Sequence, residues 1–208
     1  MADATDFIFS VDLDGVVFDY EQAMRDYVAF ERGLDPATLP PLTSWSLVAS
    51  GWPFADEDDF LATHARAVAD GGLFVRMPAF AGVSQALWRL SDAEVHIRIV
   101  TARLATNGTH AVAVADTVRA LDVHKIPYRE LLFTAHKDQA LSGPAAADPQ
   151  RLLHIDDSPK QLQTLQDAGV PTIVMDQAYN RHIPGPRAHN WAEVEQIVAS
   201  KAGITLAA

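Results

Sequence analysis

The chain has 208 residues, is 49% hydrophobic and carries a formal net charge of −11, a composition that fits one globular domain with a sizeable core and room for a small insertion. The acid excess disfavours nucleic acid polymers as partners, and the absence of cysteine excludes disulfides, thiolate metal sites and cysteine nucleophiles. No apolar run approaches the roughly 18 residues of a membrane span and the first residues, Met1 to Asp6, carry no basic leader, so a cytoplasmic protein with no membrane partner is expected.

An apolar strand is expected over Phe7, Ile8, Phe9 and Val11. It delivers Asp12 and Asp14, one residue apart, and then Gly15, where the chain can turn sharply. Two carboxylates that close raise each other's pKa unless a cation neutralises them. They form either a divalent-metal site with one carboxylate free to attack, or an Asx-type turn that closes the strand. From Glu21 to Arg32 apolar residues recur at Met24, Tyr27, Val28 and Phe30, which predicts a helix ended by Gly33 and capped by Asp19. Pro36, Pro40 and Pro41 break the next segment, which leads to Trp45, Trp52 and Phe54. A second helix is predicted from Asp56 or Glu57 to Asp70, with Phe60, Leu61, His64, Ala65 and Val68 on one face and Gly71-Gly72 as its stop. Roughly 55 residues therefore separate the first strand from the next α/β element, too many for an ordinary connection. They read as a small helical cap, residues 20–75, inserted into a core of residues 1–19 and 76–208.

The core resumes at Pro78 with a helix through Val83, Leu87 and Leu90, a strand over 95–100, and Thr101 at its end. A helix from about Thr109 to Leu121 and a short strand over 131–133 follow, with Lys137 a few residues further on. After a loop over 142–150, a strand over 152–155 delivers Asp156 and Asp157. Ser158 and Pro159 open the next helix as cap and first residue, and Gly169 ends it. A strand over 170–175 and a last helix opened by Asn190, with Glu193 three residues on, complete the chain. Short apolar strands alternating with helices predict an α/β fold: a Rossmann-like, doubly wound parallel sheet covered on both faces.

Ligands of an open parallel sheet bind at the carboxyl ends of its strands. Here those ends carry Asp12 and Asp14, Thr101, Lys137, and Asp156 with Asp157. Acids, a hydroxyl and a lysine on one edge suit the phosphoryl group of a small-molecule phosphate ester held with a hard cation, and oxygen ligands at this density favour Mg²⁺ over zinc. Each residue also has a plainer reading. Thr101 could cap a helix, and Lys137 could be solvated. Arg103 reaches a substrate or pairs with an acid. Trp45, Trp52 and Phe74 line a substrate pocket or form the cap's own core. The eight histidines show no ligand spacing, and His154 falls inside a strand.

The ordered set Asp12-Leu13-Asp14-Gly15, Thr101, Lys137 and Asp156-Asp157 resembles the haloacid dehalogenase superfamily of phosphotransferases. The closer resemblance, over most of residues 7–195, is to 5′-nucleotidases of the deoxy, type C group. It rests on the stretches Val11 to Tyr20, Ile155 to Lys160 and Asp176 to Arg181, with Gly185-Pro186-Arg187 and Trp191 near the end. The resemblance implies that Asp12 attacks phosphorus to form an aspartyl-phosphate, and that Asp14 protonates the leaving oxygen and then activates water. It implies Mg²⁺ on the Asp12 carboxylate, the Asp14 carbonyl and one aspartate of the 156/157 pair, Asp156 being preferred, with Thr101 and Lys137 on the phosphoryl oxygens. Tyr20 matches a position where these nucleotidases stack a base. Superfamily members that cleave carbon–halogen bonds need no acid two residues after the nucleophile, so Asp14 points to a phosphatase. The expected activity is Mg²⁺-dependent hydrolysis of (deoxy)nucleoside monophosphates. A sugar phosphate or other metabolite phosphate is the alternative substrate, and a phosphate-binding regulatory module the non-enzymatic alternative. Related nucleotidases dimerise, which makes a homodimer the matching expectation. Tyr179-Asn180-Arg181 has no assigned role beyond a turn near the site.

Overall fold

The computed structural model describes residues 7–70, 72–103, 110–142 and 148–206. Met1 to Asp6, Gly71, Thr109 and residues 143–147 of the expected loop lie outside them. Among the described residues, six strands form one sheet: β1 (Ile8–Val11), β2 (His96–Thr101), β3 (Glu130–Phe133), β4 (Leu152–Asp156), β5 (Thr172–Met175) and β6 (Arg187–Ala188). Every pairing is parallel and the order is β3-β2-β1-β4-β5-β6. The chain winds outward one way from β1, returns, and winds outward the other way from β4, so the expected doubly wound sheet is found. Such a sheet opens a crevice where the order reverses, here between β1 and β4.

Side chains alternate across a strand, and the two faces of this sheet differ in chemistry. Phe9, Val11, Ile97, Ile99, Leu153, Ile155, Ile173 and Met175 join the larger core. That core is covered by α4 (Val83–Asp92), α5 (His110–Val123) and α8 (Trp191–Ala202). The opposite face packs Ile8, Val100, Leu132 and Leu152 on α6 (Lys137–Ser142) and α7 (Pro159–Asp167) through Leu141 and Leu165. This thinner face also buries polar residues, with Ser10 in register with both Arg98 and His154. Asp12 and Asp156 continue those same rows, two residues beyond Ser10 and His154.

Between β1 and α4 lie α1 (Tyr20–Arg32), α2 (Glu57–Ala69) and α3 (Leu73–Arg76), packed on one another. Asp19 caps α1 by accepting the Gln22 amide at 2.9 Å, and Gly33 ends it in the left-handed region. Trp52 and Phe54 stack at 6.5 Å with the Phe60 edge against Phe54, and the Arg25 and Arg32 guanidinium groups lie over Trp52 and Phe54. Trp52 is therefore a core residue between these helices, continuous with the larger core of the sheet. Two residues assigned by periodicity to the buried faces turn away from them. Phe30 is 87% exposed, because it stands two residues, or roughly 200°, beyond Val28 on an α-helix. Leu61 is 53% exposed and looks into the cavity described below, while Thr63 and Ala67 are buried in its place. The short helices α3 and α6 and the two-residue strand β6 were not expected from the sequence. No helix among the described residues is long and apolar enough to cross a membrane.

Candidate active site

The loop after β1 is built by its own backbone. The Leu13 carbonyl accepts the amides of Val16, Val17 and Phe18 at 3.3, 2.8 and 2.9 Å, and the Gly15 amide reaches the Phe18 carbonyl. Gly15 has φ +75°, and a Cβ there would stand 2.0 Å from Asp157 Oδ2. Both the turn and the approach of the neighbouring strand thus demand glycine. The buried Trp191 of α8 donates its indole N–H to the Val16 carbonyl at 3.0 Å, tying the last helix to this loop.

Behind the loop, Asp12, Asp156 and Asp157 converge, and one ligand oxygen of each lies within 4.8 Å of the others. Lys137, at the first position of α6 and 2% exposed, reaches across with Nζ 2.6 Å from Asp12 Oδ1 and 2.6 Å from Asp156 Oδ2. Burial pulls the Lys137 pKa down, but the Asp12 and Asp156 charges outweigh it and hold the ammonium above its ordinary value. The three carboxylates respond differently. Burial pushes Asp12 up to about 7, aided by the Asp156 and Asp14 charges and opposed by Lys137. Burial, then the Asp156 and Asp12 charges, push Asp157 well above the carboxylate range. Asp156 is buried too, yet Lys137 and a hydrogen bond from His154 carry it below that range.

His154 itself is kept neutral by burial. Its Nε2 donates to Asp156 Oδ2 at 3.2 Å, so Nδ1 accepts the Ser10 hydroxyl at 2.8 Å across the β1–β4 pair. Asp156 Oδ1 accepts the Ser158 amide at 2.9 Å. Both oxygens of Asp156 are thus engaged. Asp157 is not so provided: Oδ2 accepts the Tyr179 hydroxyl at 2.5 Å, but Oδ1 is buried without a hydrogen-bond partner among the described residues. A buried, unpartnered carboxylate oxygen is costly. Three carboxylates facing one ammonium, one of them with an orphan oxygen, fit a hard divalent cation that takes oxygen ligands.

Asp14 points the other way. Arg103, after β2, clasps it with Nη2 2.6 Å from Oδ1 and Nε 3.1 Å from both oxygens. Nη1 of Arg103 donates to Thr117 Oγ1, and the guanidinium lies 4.3 Å from the Phe74 ring centroid and 5.3 Å from that of Phe18. Of the two readings open for Arg103, the structure displays the pairing with an acid. Thr101 ends β2 with its hydroxyl buried and, among the described residues, unpartnered.

A cavity of about 690 Å³ opens from Asp12, Asp14 and Lys137 towards α1 and α2. Tyr20, Phe60, Phe74, Trp45 and Tyr179 supply aromatic walls, and Glu21 and Glu57 also line it. Tyr20 donates to or accepts from His64 Nδ1 at 3.0 Å, and burial raises its pKa. Trp45, 53% exposed, meets the Tyr179 ring edge-on at 5.4 Å. Phe74 serves both expected roles, as a core residue and as a cavity wall, and Thr101 does not itself line the cavity. The sequence reading brought Asp12, Asp14, Thr101, Lys137, Asp156 and Asp157 to one edge. Asp12, Lys137, Asp156 and Asp157 converge there, Asp14 lines the same cavity while paired with Arg103, and Thr101 ends β2 outside the cavity lining. It missed the Ser10–His154 pair behind Asp156 and the contact of Tyr179 with Asp157. His154 and Tyr179 were visible as an unpaired strand histidine and a motif without a role.

Residues 6–203 match the family model described as 5′ nucleotidase, deoxy (Pyrimidine), cytosolic type C protein. A curated protein of Chlorobaculum tepidum, named "Putative 5′(3′)-deoxyribonucleotidase", is 38% identical over 193 residues, covering 92% of this chain and 89% of its own length. Among solved structures, a haloacid dehalogenase-like hydrolase of Streptococcus pneumoniae aligns with a TM-score of 0.59 at 17% identity, over 93% of this chain and 98% of that one. The D,D-heptose 1,7-bisphosphate phosphatase of Burkholderia thailandensis aligns with a TM-score of 0.56 at 11% identity, over 93% and 99%. At such identities these two structures speak for the fold alone.

Proposed function

Because the chain belongs to the 5′ nucleotidase, deoxy (Pyrimidine), cytosolic type C family and is a phosphoric monoester hydrolase of haloacid dehalogenase type, we propose that it hydrolyses (deoxy)nucleoside 5′-monophosphates through an Asp12 phosphoryl intermediate. The observation that carries the substrate is the aromatic-walled cavity of about 690 Å³ continuous with Asp12 and Lys137, a space suited to a flat base and sugar beside a phosphoryl group. Residues 20–75 act as the cap that supplies most of those walls, over a core of residues 1–19 and 76–208.

Asp12 attacks phosphorus and expels the nucleoside oxygen; water then attacks the aspartyl-phosphate and regenerates the carboxylate. Lys137 holds Asp12 in place and offsets charge on the phosphoryl oxygens. Thr101 offers its unpartnered hydroxyl to the same group. Mg²⁺ bound among these acids would neutralise the carboxylates and the phosphoryl charge. Asp12, the Asp14 carbonyl and Asp157 would hold it. The sequence favoured Asp156 as the ligand; the orphan Oδ1 of Asp157 and the full engagement of Asp156 by Lys137, His154 and Ser158 favour Asp157 instead.

Asp14 protonates the leaving oxygen and then takes the proton of the attacking water. Arg103 positions it. The variant Arg103→Ala is therefore expected to lose about 10²–10⁴-fold in kcat/KM on nucleotides, but much less on an aryl phosphate, whose leaving oxide needs no proton. Steady-state kinetics on both substrates check this. Equal losses on the two would instead assign Arg103 to the phosphoryl group or to folding.

The function is tested by phosphate release from deoxy- and ribonucleotides, sugar phosphates and a generic aryl phosphate, with Mg²⁺ and with chelator. Chelator-sensitive turnover concentrated on nucleotides is expected. Turnover centred on a sugar phosphate would move the substrate, and turnover that survives chelation would remove the metal.

A further inference from the structure

The segment after β5 is anchored far more heavily than a chain reversal requires. Gln177 and Asn180 close a reciprocal cap, the Gln177 amide donating to Asn180 Oδ1 at 3.1 Å. Asn180, fully buried, donates Nδ2 to the carbonyls of Asp157 and Met175, both at 2.8 Å. Arg187 on β6 donates to Asn180 Oδ1, Asp176 Oδ1, and the carbonyls of Asn180 and Ile183. Gln177 Nε2 donates to the Gly15 carbonyl at 3.2 Å, so the turn is also fastened to the loop after β1.

What this rigid turn presents to the cavity is Tyr179. Its hydroxyl donates to Asp157 Oδ2, and on the other side a Cβ at Gly15 would stand 2.0 Å from that same oxygen. Asp157 is clasped between a phenol and a bare Cα. With Oδ2 fixed there, the carboxylate has one oxygen left, Oδ1, buried and without a hydrogen-bond partner among the described residues, in a group that converges with Asp12 and Asp156. The Tyr179 ring in turn rests edge-on against Trp45.

We propose that Tyr179 is a positioning residue, whose hydroxyl sets the Asp157 carboxylate so that Oδ1 is offered to a divalent cation. This rests on the metal reading of the acidic cluster given above. Partners that orient a ligating carboxylate control affinity strongly, and a carboxylate without such a partner samples rotamers that must be given up on binding. The ring contact with Trp45 adds a wall to the cavity and is separable from the hydroxyl.

The test is Mg²⁺ binding to the metal-stripped full-length protein by calorimetry, repeated with Mn²⁺ by electron paramagnetic resonance. Tyr179→Phe removes one hydroxyl and no ring volume, so the fold and the Trp45 contact are kept. Its Mg²⁺ Kd is expected to rise about 10–100-fold, with KM for phosphate ester near the parent value once Mg²⁺ saturates. Trp45→Ala touches no carboxylate and is expected to raise KM while keeping the parent Mg²⁺ affinity. Parent-like Mg²⁺ affinity in Tyr179→Phe would overturn the proposal. So would an equal loss of affinity in both variants, which would point to collapse of the cavity wall. A parent protein that binds neither ion removes the metal reading itself, and the proposal with it.

Discussion

Asp12→Asn is expected to release no phosphate above background and, once stripped of metal, to melt at a higher temperature than the parent. Removing a nucleophile that acts as part of a set costs at least about 10⁴-fold in kcat. The gain in stability has a different source. Asp12 shares a buried cluster with Asp156 and Asp157, and burial, opposed by Lys137 and aided by the Asp156 and Asp14 charges, raises its pKa to about 7 in the native state, against about 3.9 when unfolded. The native state therefore holds a proton that the unfolded chain has released. Stability falls as pH rises through this interval, and the penalty is fully present above about pH 7. Asparagine keeps the shape and removes the charge. The rise in melting temperature with chelator should be larger at pH 8 than at pH 5, and added Mg²⁺ should stabilise the variant less than the parent. Thermal melts across pH, with and without metal, check this. A variant that melts below the parent at pH 8 would mean that the Asp12–Lys137 pair is worth more than the repulsion it relieves.

The chemistry of this site was legible because parallel sheets send their functional groups to one edge, and the sequence marks each edge position by an apolar strand followed by a polar residue. Asp12, Asp14, Thr101, Asp156 and Asp157 all announce themselves in that way. Lys137 does not stand at a strand end but at the start of the short α6, and only its distance past β3 suggested it. What local pattern could not reveal was which aromatic faces what. Trp45 and Trp52 are seven residues apart in one proline-broken segment, yet Trp52 is packed under Arg25 and Trp45 walls the cavity. The fate of each depends on helices distant in sequence. Tyr179 and Asp157 are likewise 22 residues apart and meet only because β4 and β5 are neighbours. Period-3.6 reasoning failed at Phe30 for a simpler reason: apolar residues counted along a helix need not share a face.

Lys137→Met should produce the largest loss of stability at the site, and a loss that metal partly restores. Methionine fills nearly the same volume, so the loss is one of charge. With Nζ gone, Asp12 and Asp156 lose the ammonium 2.6 Å from each, in a place where neither has ready access to water. Breaking a buried pair from one side costs about 3–5 kcal/mol. Mg²⁺ on Asp12 and Asp157 would add positive charge to the same acidic cluster, so the variant's melting temperature should climb more steeply with Mg²⁺ concentration than the parent's. Activity should stay low even when Mg²⁺ saturates, by about 10²–10³-fold, because a fixed donor aimed at the phosphoryl oxygens is missing. Lys137→Arg keeps the charge but brings a planar fork where a point charge bridges two carboxylates at right range, and should restore stability better than turnover. Melting curves over a Mg²⁺ titration, paired with phosphate release, separate the two effects. If Lys137→Met melted with the parent in chelator, the carboxylates could not be carrying the charge that the lysine is there to balance, and both the cation and the nucleophile would have to be sought elsewhere.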